Sequence, residues 1–173
     1  MRHLVLVGLP GSGKTTVGRA AAAAAQLPFL DFDEEIERRS GLTPSQFFEK
    51  RGEAAFRATE LSLTRELVGL HTIVVAPGGG WIAQKAARAA LGDQRVLVYL
   101  KVAPEEALRR MGDTVRLRPL LAEDPVGGMR RILAERGPLY EKSDHIIDTQ
   151  VIGLQELTSH VANLARLARD ADG

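Results

Sequence analysis

Short apolar runs alternate with segments of helical periodicity along the whole chain. The apolar runs predict β-strands at residues 3–7, 28–31, 72–76, 95–100 and 145–148. The segments between and after them predict helices at 14–25, 33–40, 43–69 with a break near Gly52, 82–91, 104–111, 124–136 and 154–169. Strands that alternate with helices are typical of an α/β fold, in which helices cover both faces of a mainly parallel sheet.

Length and composition favour one globular domain over residues 1–173. Hydrophobic residues make up 45% and charged residues 26%, and no apolar stretch approaches the length of a membrane span. We therefore expect no membrane partner. The lack of cysteine and of a signal peptide favours the cytoplasm. A formal net charge of +1, without a basic stripe, argues against a nucleic-acid partner.

Three unusual segments follow the first three predicted strands. A glycine-rich loop at 8–13 follows the first strand, Asp31 and Asp33 follow the second, and glycines at 78–80 follow the third. Because ligands bind at the carboxyl ends of parallel strands, we expect these segments to line one edge of the sheet. That edge is the candidate functional site.

The segment from Gly8 to Thr15 matches the phosphate-binding pattern G-x-x-x-x-G-K-[ST]. Its glycines allow backbone N–H groups to surround an anion, and the following helix points its N-terminus at the same phosphates. Lys14 is expected to reach the β- and γ-phosphates, and the Thr15 hydroxyl to ligate Mg²⁺. The predicted ATP-binding residues are Gly11, Ser12, Gly13, Lys14, Thr15 and Thr16. The motif leaves the reaction open, although the lack of an N-K-x-D motif argues against a switch GTPase.

Two carboxylates and two arginines are candidates for binding the phosphate acceptor. Asp31 is placed to support Mg²⁺ through water, and Asp33 either binds a substrate hydroxyl as its base or caps the following helix. Arg57 and Arg136 suit an anionic substrate, although spacing alone favours a solvated helix position for each. The glycines at 78–80 either permit close approach of a ligand to the backbone or form a flexible turn.

Taken in order, the motifs of residues 2–150 resemble those of the shikimate kinase family. The motifs are the phosphate loop 8–15, Asp-x-Asp 31–33, Gly-Glu-x-x-Phe-Arg-x-x-Glu 52–60, triple glycine 78–80, Arg-Pro-Leu-Leu 118–121 and Arg-x-Pro-Leu-Tyr 136–140. No single motif is decisive, but six in this order within one short chain are highly specific.

The resemblance implies a nucleoside-monophosphate-kinase-like fold of the P-loop NTPase type. That fold is a three-layer α/β sandwich with a five-stranded parallel sheet and a mobile lid, which corresponds to residues 112–123 here. The implied reaction transfers the γ-phosphoryl group of ATP, with Mg²⁺, to the 3-hydroxyl of shikimate in aromatic amino acid biosynthesis. The implied partners are shikimate and ATP, and the implied state is a monomer.

The resemblance also implies a role for individual residues. The implied catalytic residues are Asp33, Lys14 and the lid residue Arg118, and the implied magnesium site comprises Thr15 and Asp31. The implied shikimate-binding residues are Asp33, Arg57, Gly78, Gly79, Gly80 and Arg136. On the ATP side, Arg118 reaches the transferring phosphate, and Arg110 is an adenine-binding residue by resemblance alone.

Several features depart from the family's pattern. Trp81 stands where the family usually has a small residue, and it either narrows the acceptor pocket or packs against a helix, which we favour. The predicted lid carries two arginines, Arg116 and Arg118, where the family pattern has one. Arg118 is assigned the lid role because it adjoins Pro119, and Arg116 is placed to share that role. The segment 149–153 matches the adenine-side loop of the family only weakly.

Two alternatives lie outside this family activity. A related P-loop kinase would phosphorylate another hydroxy acid, such as gluconate, and Trp81 is its only support. A non-catalytic nucleotide-binding module predicts the loss of Lys14, Asp33 or the lid arginines, all of which are present.

Overall fold

The computed structural model describes residues 2–118 and 120–171. Its strands are β1 His3–Val7, β2 Phe29–Asp31, β3 Val74–Ala76, β4 Arg95–Lys101 and β5 His145–Asp148. Its α-helices are α1 Lys14–Ala25, α2 Phe32–Ser40, α3 Pro44–Leu67, α4 Lys85–Leu91, α5 Pro104–Met111, α6 Pro125–Tyr140 and α7 Leu154–Asp170. Two 3₁₀ segments cover Trp81–Ala83 and Gly112–Leu117. The predicted alternation of strands and helices is confirmed.

The five strands form one sheet in the order β2-β3-β1-β4-β5, and neighbouring strands pair in parallel. In the centre, Leu4 of β1 lies opposite Val74 of β3 and Val96 of β4. In sequence order, β2 and β3 come first and lie on one side of β1, and β4 and β5 follow and lie on its other side. This change of direction places the carboxyl end of β1 at a switch point, where open α/β sheets bind ligands.

Alternate side chains of β1 face two separate hydrophobic cores. Leu4 and Leu6 pack with residues of α1 and α7, whereas Val5 and Val7 pack with residues of the helices on the other face. The second core includes Phe32 of α2, Phe56 and Leu63 of α3, Ala87 of α4, Ala107 of α5 and Ile132 of α6. The three-layer α/β sandwich is therefore confirmed.

The start of α2 differs from the prediction and changes the roles of two acids. Asp31 ends β2, and its carboxylate accepts a hydrogen bond of 3.2 Å from the Glu34 N–H. Asp31 is thus the residue that caps α2, and the alternative that Asp33 caps it is wrong. Asp33 lies in the first turn of the helix rather than on an extended strand end, yet both side chains line one cavity.

Two other helices also differ from their predicted bounds. The single helix predicted at 82–91 is a 3₁₀ turn followed by α4, because Gln84 between them is extended, with φ −80° and ψ 98°. Helix α6 was predicted to end at Arg136 but continues through Pro138 to Tyr140. The Tyr140 side chain is fully buried, and its packing outweighs the backbone hydrogen bond that Pro138 removes. The break predicted near Gly52 is confirmed by its φ of 81° inside α3.

Residues 112–123 contain more regular structure than predicted. Gly112–Leu117 forms a 3₁₀ helix, and Leu117 and Leu120 are both largely exposed. Pro119 of the sequence motif lies outside the described residues. The mobility of this segment as a lid and the single domain over 1–173 stay predictions. Within the described ranges, no helix combines the length and apolar character needed to cross a bilayer.

Candidate active site

Two cavities open side by side at the carboxyl edge of the sheet. The smaller one, of about 240 Å³, lies over the phosphate loop, and the larger one, of about 450 Å³, lies between α2, α3 and α6. Both cavities are lined by Pro10, Asp33, Gly78, Gly79, Thr114 and Arg118. The convergence of three segments on one edge, which the sequence predicted, is confirmed.

Residues of the phosphate loop fold around the Lys14 ammonium. Its Nζ donates hydrogen bonds to the carbonyls of Gly8, at 2.9 Å, and Leu9, at 2.8 Å. Burial lowers the pKa of Lys14 to about 8, because the charged form loses hydration. Gly11 has a φ of 78°, and a Cβ there would overlap the carbonyl of Ala107 in α5. The loop therefore needs glycine at this position both for its conformation and for its packing.

Thr15 and Asp31 bring a hydroxyl and a carboxylate together at the smaller cavity. The Thr15 hydroxyl donates to Asp31 Oδ2 at 2.5 Å, and both residues line the smaller cavity. No group of three or more His, Cys, Asp or Glu side chains in the described part of the chain has the spacing of a metal cage. One hydroxyl and one carboxylate fit Mg²⁺, which proteins commonly hold with few ligands together with substrate phosphates.

Asp33 lies where the two cavities meet. Burial raises the pKa of its carboxyl above the ordinary value, and the nearby Asp31 charge acts in the same direction. Arg118 opposes the shift, and its Nη1 lies 3.4 Å from Asp33 Oδ2. A carboxylate with a raised pKa, adjacent to both sites, is suited to accept a proton from a bound hydroxyl.

Arg57 is held against one wall of the larger cavity. Its Nη1 donates to Glu60 Oε2 at 2.6 Å, and Glu53 Oε1 lies 3.4 Å from its Nη2. The guanidinium also lies over the rings of Phe48 and Phe56, 5.7 and 5.6 Å from their centroids. This side chain is ion-paired and packed, so it is not a solvated helix arginine, and its role in binding a substrate stays a prediction.

Arg136 faces the same cavity from α6. The residue is only 7% exposed, and its Nε has no hydrogen-bond partner within the described residues. A Cβ on Gly79 would lie 3.5 Å from its Nη1, so the guanidinium adjoins the triple-glycine turn. A buried guanidinium with an unused donor is a strong site for an anion. The two arginines thus line one cavity, as the family resemblance implied.

The model of the family described as shikimate kinase matches residues 10–165 of this chain. This chain belongs to the shikimate kinase family. A shikimate kinase from Thermobifida fusca is 48% identical over 79% of this chain and 78% of the relative. One from Cupriavidus pinatubonensis is 41% identical, over 92% of this chain and 83% of the relative.

Solved structures give the same assignment. The shikimate kinase from Acinetobacter baumannii in complex with shikimate superimposes with a TM-score of 0.87, at 38% identity, covering 95% of this chain and 92% of that one. A gluconokinase from Sinorhizobium meliloti reaches a TM-score of 0.60 at 22% identity, covering 99% of this chain and 95% of that chain, a likeness of fold alone. The recognition of the shikimate kinase family from sequence motifs is confirmed.

Trp81, the main departure from the shikimate kinase pattern, lies in the hydrophobic core. Its side chain is 1% exposed, and its Nε1 donates to the Thr64 hydroxyl of α3 at 2.9 Å. The indole is not among the residues lining the larger cavity. Trp81 therefore packs against a helix, as favoured from sequence, and does not narrow the larger cavity.

Arg118 and Arg110 occupy different parts of the site. Arg118 lines both cavities, whereas Arg116 is exposed and lines neither of the two, which favours Arg118 for the lid role. Arg110 lies in the last turn of α5 and lines neither cavity, and its Nη1 donates to the Thr149 hydroxyl at 2.8 Å. The contact joins Arg110 to segment 149–153, the region whose sequence matched the adenine-side loop only weakly.

Several residues that contact the predicted site residues had no predicted role. Glu60 and Tyr140 belong to the family motifs at 52–60 and 136–140. Glu60 follows Arg57 by three residues and Tyr140 follows Arg136 by four. Residues at these spacings are neighbours on a helix, so the spacing was a usable signal. The Tyr140 hydroxyl lies 3.2 Å from the carbonyl oxygens of both Gly8 and Gly79, so it joins the two ligand loops. Nothing local in the sequence marks Gln84, which contacts Glu60 across the fold.

Proposed function

We propose that this protein catalyses transfer of the γ-phosphoryl group of ATP to the 3-hydroxyl of shikimate, giving shikimate 3-phosphate and ADP. The observation that carries this proposal is the junction of the two cavities. Asp33 and Arg118 lie at that junction, between a phosphate loop on one side and a pair of arginines on the other. Phosphoryl transfer depends mainly on such positioning and on charge neutralisation.

The larger cavity has the chemistry to bind a small carboxylic acid. Arg57 and Arg136 supply two guanidinium groups for one carboxylate, and the backbone of Gly79 and Gly80 adjoins them. The ring of Phe48 supplies an apolar wall for a carbon ring. A few polar groups on an apolar lining are typical of sites that orient one small ligand.

Asp33 binds the reacting hydroxyl and receives its proton as the phosphoryl group is transferred. The raised pKa of its carboxyl favours this role, because proton transfer is most efficient when the pKa of the base approaches the working pH. Lys14, from the phosphate loop, and Arg118, from the lid, stabilise the transferring phosphate from opposite sides.

Thr15 and Asp31 would hold Mg²⁺ beside the phosphates. The ion, when bound, neutralises charge on the phosphate oxygens. The capping bond from the Glu34 N–H fixes the Asp31 carboxylate, so the ligand is oriented before nucleotide binds. ATP is the co-substrate, bound through residues 11–16, and Arg110 contacts its adenine. Segment 112–123 closes over the site as a lid that excludes water.

Two alternatives lose support: a kinase that phosphorylates another hydroxy acid, such as gluconate, and a non-catalytic nucleotide-binding module. Trp81 was the only argument for another acceptor, and its indole is buried away from the cavity. Lys14, Asp33 and Arg118 all line the smaller cavity, which supports catalysis. We further propose that the protein acts as a monomer, since one chain supplies every residue of the proposed site. The lack of cysteine in the sequence supports a cytoplasmic location.

Product analysis tests the proposed function. The protein, MgATP and shikimate are incubated together, and the product is examined by phosphorus and proton NMR. We expect one phosphomonoester whose phosphate is coupled to the proton on carbon 3, in a one-to-one ratio with ADP. A phosphate on another hydroxyl, or ADP without a phosphoester, would contradict the assignment of Asp33 to the 3-hydroxyl.

A further inference from the structure

The 3₁₀ turn that follows the triple glycine is attached to α3 at two points, one helical turn apart. Trp81 Nε1 donates to the Thr64 hydroxyl at 2.9 Å, and Gln84 Nε2 donates to Glu60 Oε2 at 2.5 Å. The Thr64 hydroxyl in turn donates to the main-chain carbonyl of Glu60 at 2.7 Å. Because Trp81, Thr64 and Glu60 are buried, these bonds hold the turn and the helix at a fixed spacing.

The amide of Gln84 reaches the same carboxylate oxygen that holds Arg57. Glu60 Oε2 accepts from Arg57 Nη1 at 2.6 Å as well as from Gln84, whereas Glu60 Oε1 has no partner among the described residues. The Glu60 side chain is fully buried, and burial raises the pKa of its carboxyl. Both Arg57 and Gln84 oppose that shift, so the amide helps to keep Glu60 ionised and paired.

The acceptor site of the proposed function is divided between these two attached elements. Arg57 belongs to α3, whereas Gly79 and Gly80 belong to the turn. The guanidinium packs directly on the turn, since a Cβ on Gly80 would lie within 2.5 Å of three of its atoms. The distance between Arg57 and the backbone N–H groups of Gly79 and Gly80 therefore depends on the hydrogen bonds that attach the turn to α3.

We propose that Gln84 is a positioning residue for acceptor binding. Through Glu60 it fixes the Arg57 guanidinium relative to Gly79 and Gly80, and so it sets the affinity for the acceptor carboxylate. Trp81 supports this arrangement by holding the turn from which Gln84 extends. The inference rests on the proposed function, since it concerns the same acceptor.

The variant Gln84→Met tests this role, because it keeps the length of the side chain and removes its donor. We expect the KM for shikimate to rise about tenfold, which corresponds to about 1.4 kcal/mol, while the KM for ATP changes less than twofold. The matched control is Gln155→Met, an exposed position in the first turn of α7, which should leave both constants unchanged. An unchanged KM for shikimate, or equal rises in both constants, would overturn the proposal.

The pH profile separates positioning from a general loss of packing. Without the Gln84 donor, the pKa of Glu60 rises further, so the acid limb of the affinity for shikimate should move to higher pH. This affinity is measured as Kd without ATP, so that proton transfer to Asp33 does not enter. The charged groups that act on this carboxylate, Arg57 on α3 and Asp33 on α2, are unchanged in the variant. A profile that keeps its acid limb while KM rises would assign Gln84 to packing instead.

Two further variants keep the test decisive if Gln84→Met folds poorly. Gln84→Glu retains the shape but places a second carboxylate beside Glu60, so it should raise the KM for shikimate more than Met does. In the double variant of Glu60→Gln with Gln84→Met, the second change should add less than threefold, because both residues act through one carboxylate. If the two changes instead multiply their effects on the KM for shikimate, as independent changes do, then Gln84 does not act through Glu60. If the unaltered protein does not phosphorylate shikimate, the proposed function fails first.

Discussion

Replacing Gly80 by alanine should displace Arg57 without disturbing the backbone. Gly80 has φ −87° and ψ −10°, a conformation that alanine adopts readily, so the effect comes from space alone. The added Cβ would lie within 2.5 Å of three guanidinium atoms of Arg57. The guanidinium must therefore retreat by roughly 1–2 Å to reach an ordinary contact distance. It is the end of a flexible side chain, so the fold should survive the change.

A displacement of this size is large for a substrate-binding group. A misplacement of about 1 Å can cost on the order of 100-fold in rate, so kcat/KM for shikimate should fall by 10- to 100-fold. The KM for ATP should stay within twofold, because the nucleotide side is untouched. Steady-state assays measure both constants, and Gly137→Ala is the control, since its Cβ would meet Leu133 at an ordinary 3.6 Å. A KM and kcat for shikimate equal to those of the unaltered protein would refute the placement of Arg57.

Three other perturbations test separate parts of the account. Lys14→Met should lower kcat on the order of 1,000-fold, and in the unaltered protein kcat/KM for ATP should decline above pH 8, because the pKa of Lys14 is lowered to about 8. Trp81→Phe should cost about 1–2 kcal/mol in the free energy of unfolding, through the lost bond to Thr64, and a change in acceptor preference would contradict its core role. His3 has a lowered pKa through burial, so the unfolded chain binds more protons and stability should fall as pH drops below about 6.5. Urea midpoints at pH 7.5 and 5.0 measure that loss, and His3→Asn should reduce the difference between them.

The phosphate side of the site was predictable from sequence because its chemistry is local. The loop from Gly8 to Thr15 depends on backbone conformations that its own glycines allow, and a strand and a helix flank it as the motif requires. The assignment of the capping role to Asp31 was missed. Helix ends vary by a residue or two in any pattern-based prediction, and a shift of that size decides which acid caps the helix.

The acceptor side depends on contacts between residues distant in sequence. The acceptor-binding role of Arg57 came only from the family resemblance, since nothing in its spacing distinguishes an arginine on a cavity wall from one on a solvated surface. Gln84 was missed altogether, because its partner Glu60 lies 24 residues away across the packed interface of α3 and the turn. The hydrophobic character of Trp81 favours burial, but its partner on α3 follows only from the packing of the core.

The most direct test of the central claim is a coupled assay of ADP release with MgATP and four acceptor conditions. Shikimate, quinate, gluconate and no acceptor are compared at equal enzyme concentration. The account predicts rapid release with shikimate and only background release in the other three conditions. Release that is fastest with gluconate or quinate would leave the phosphate chemistry intact but contradict the acceptor assignment. Nucleotide binding without any acceptor-dependent release would contradict catalysis itself.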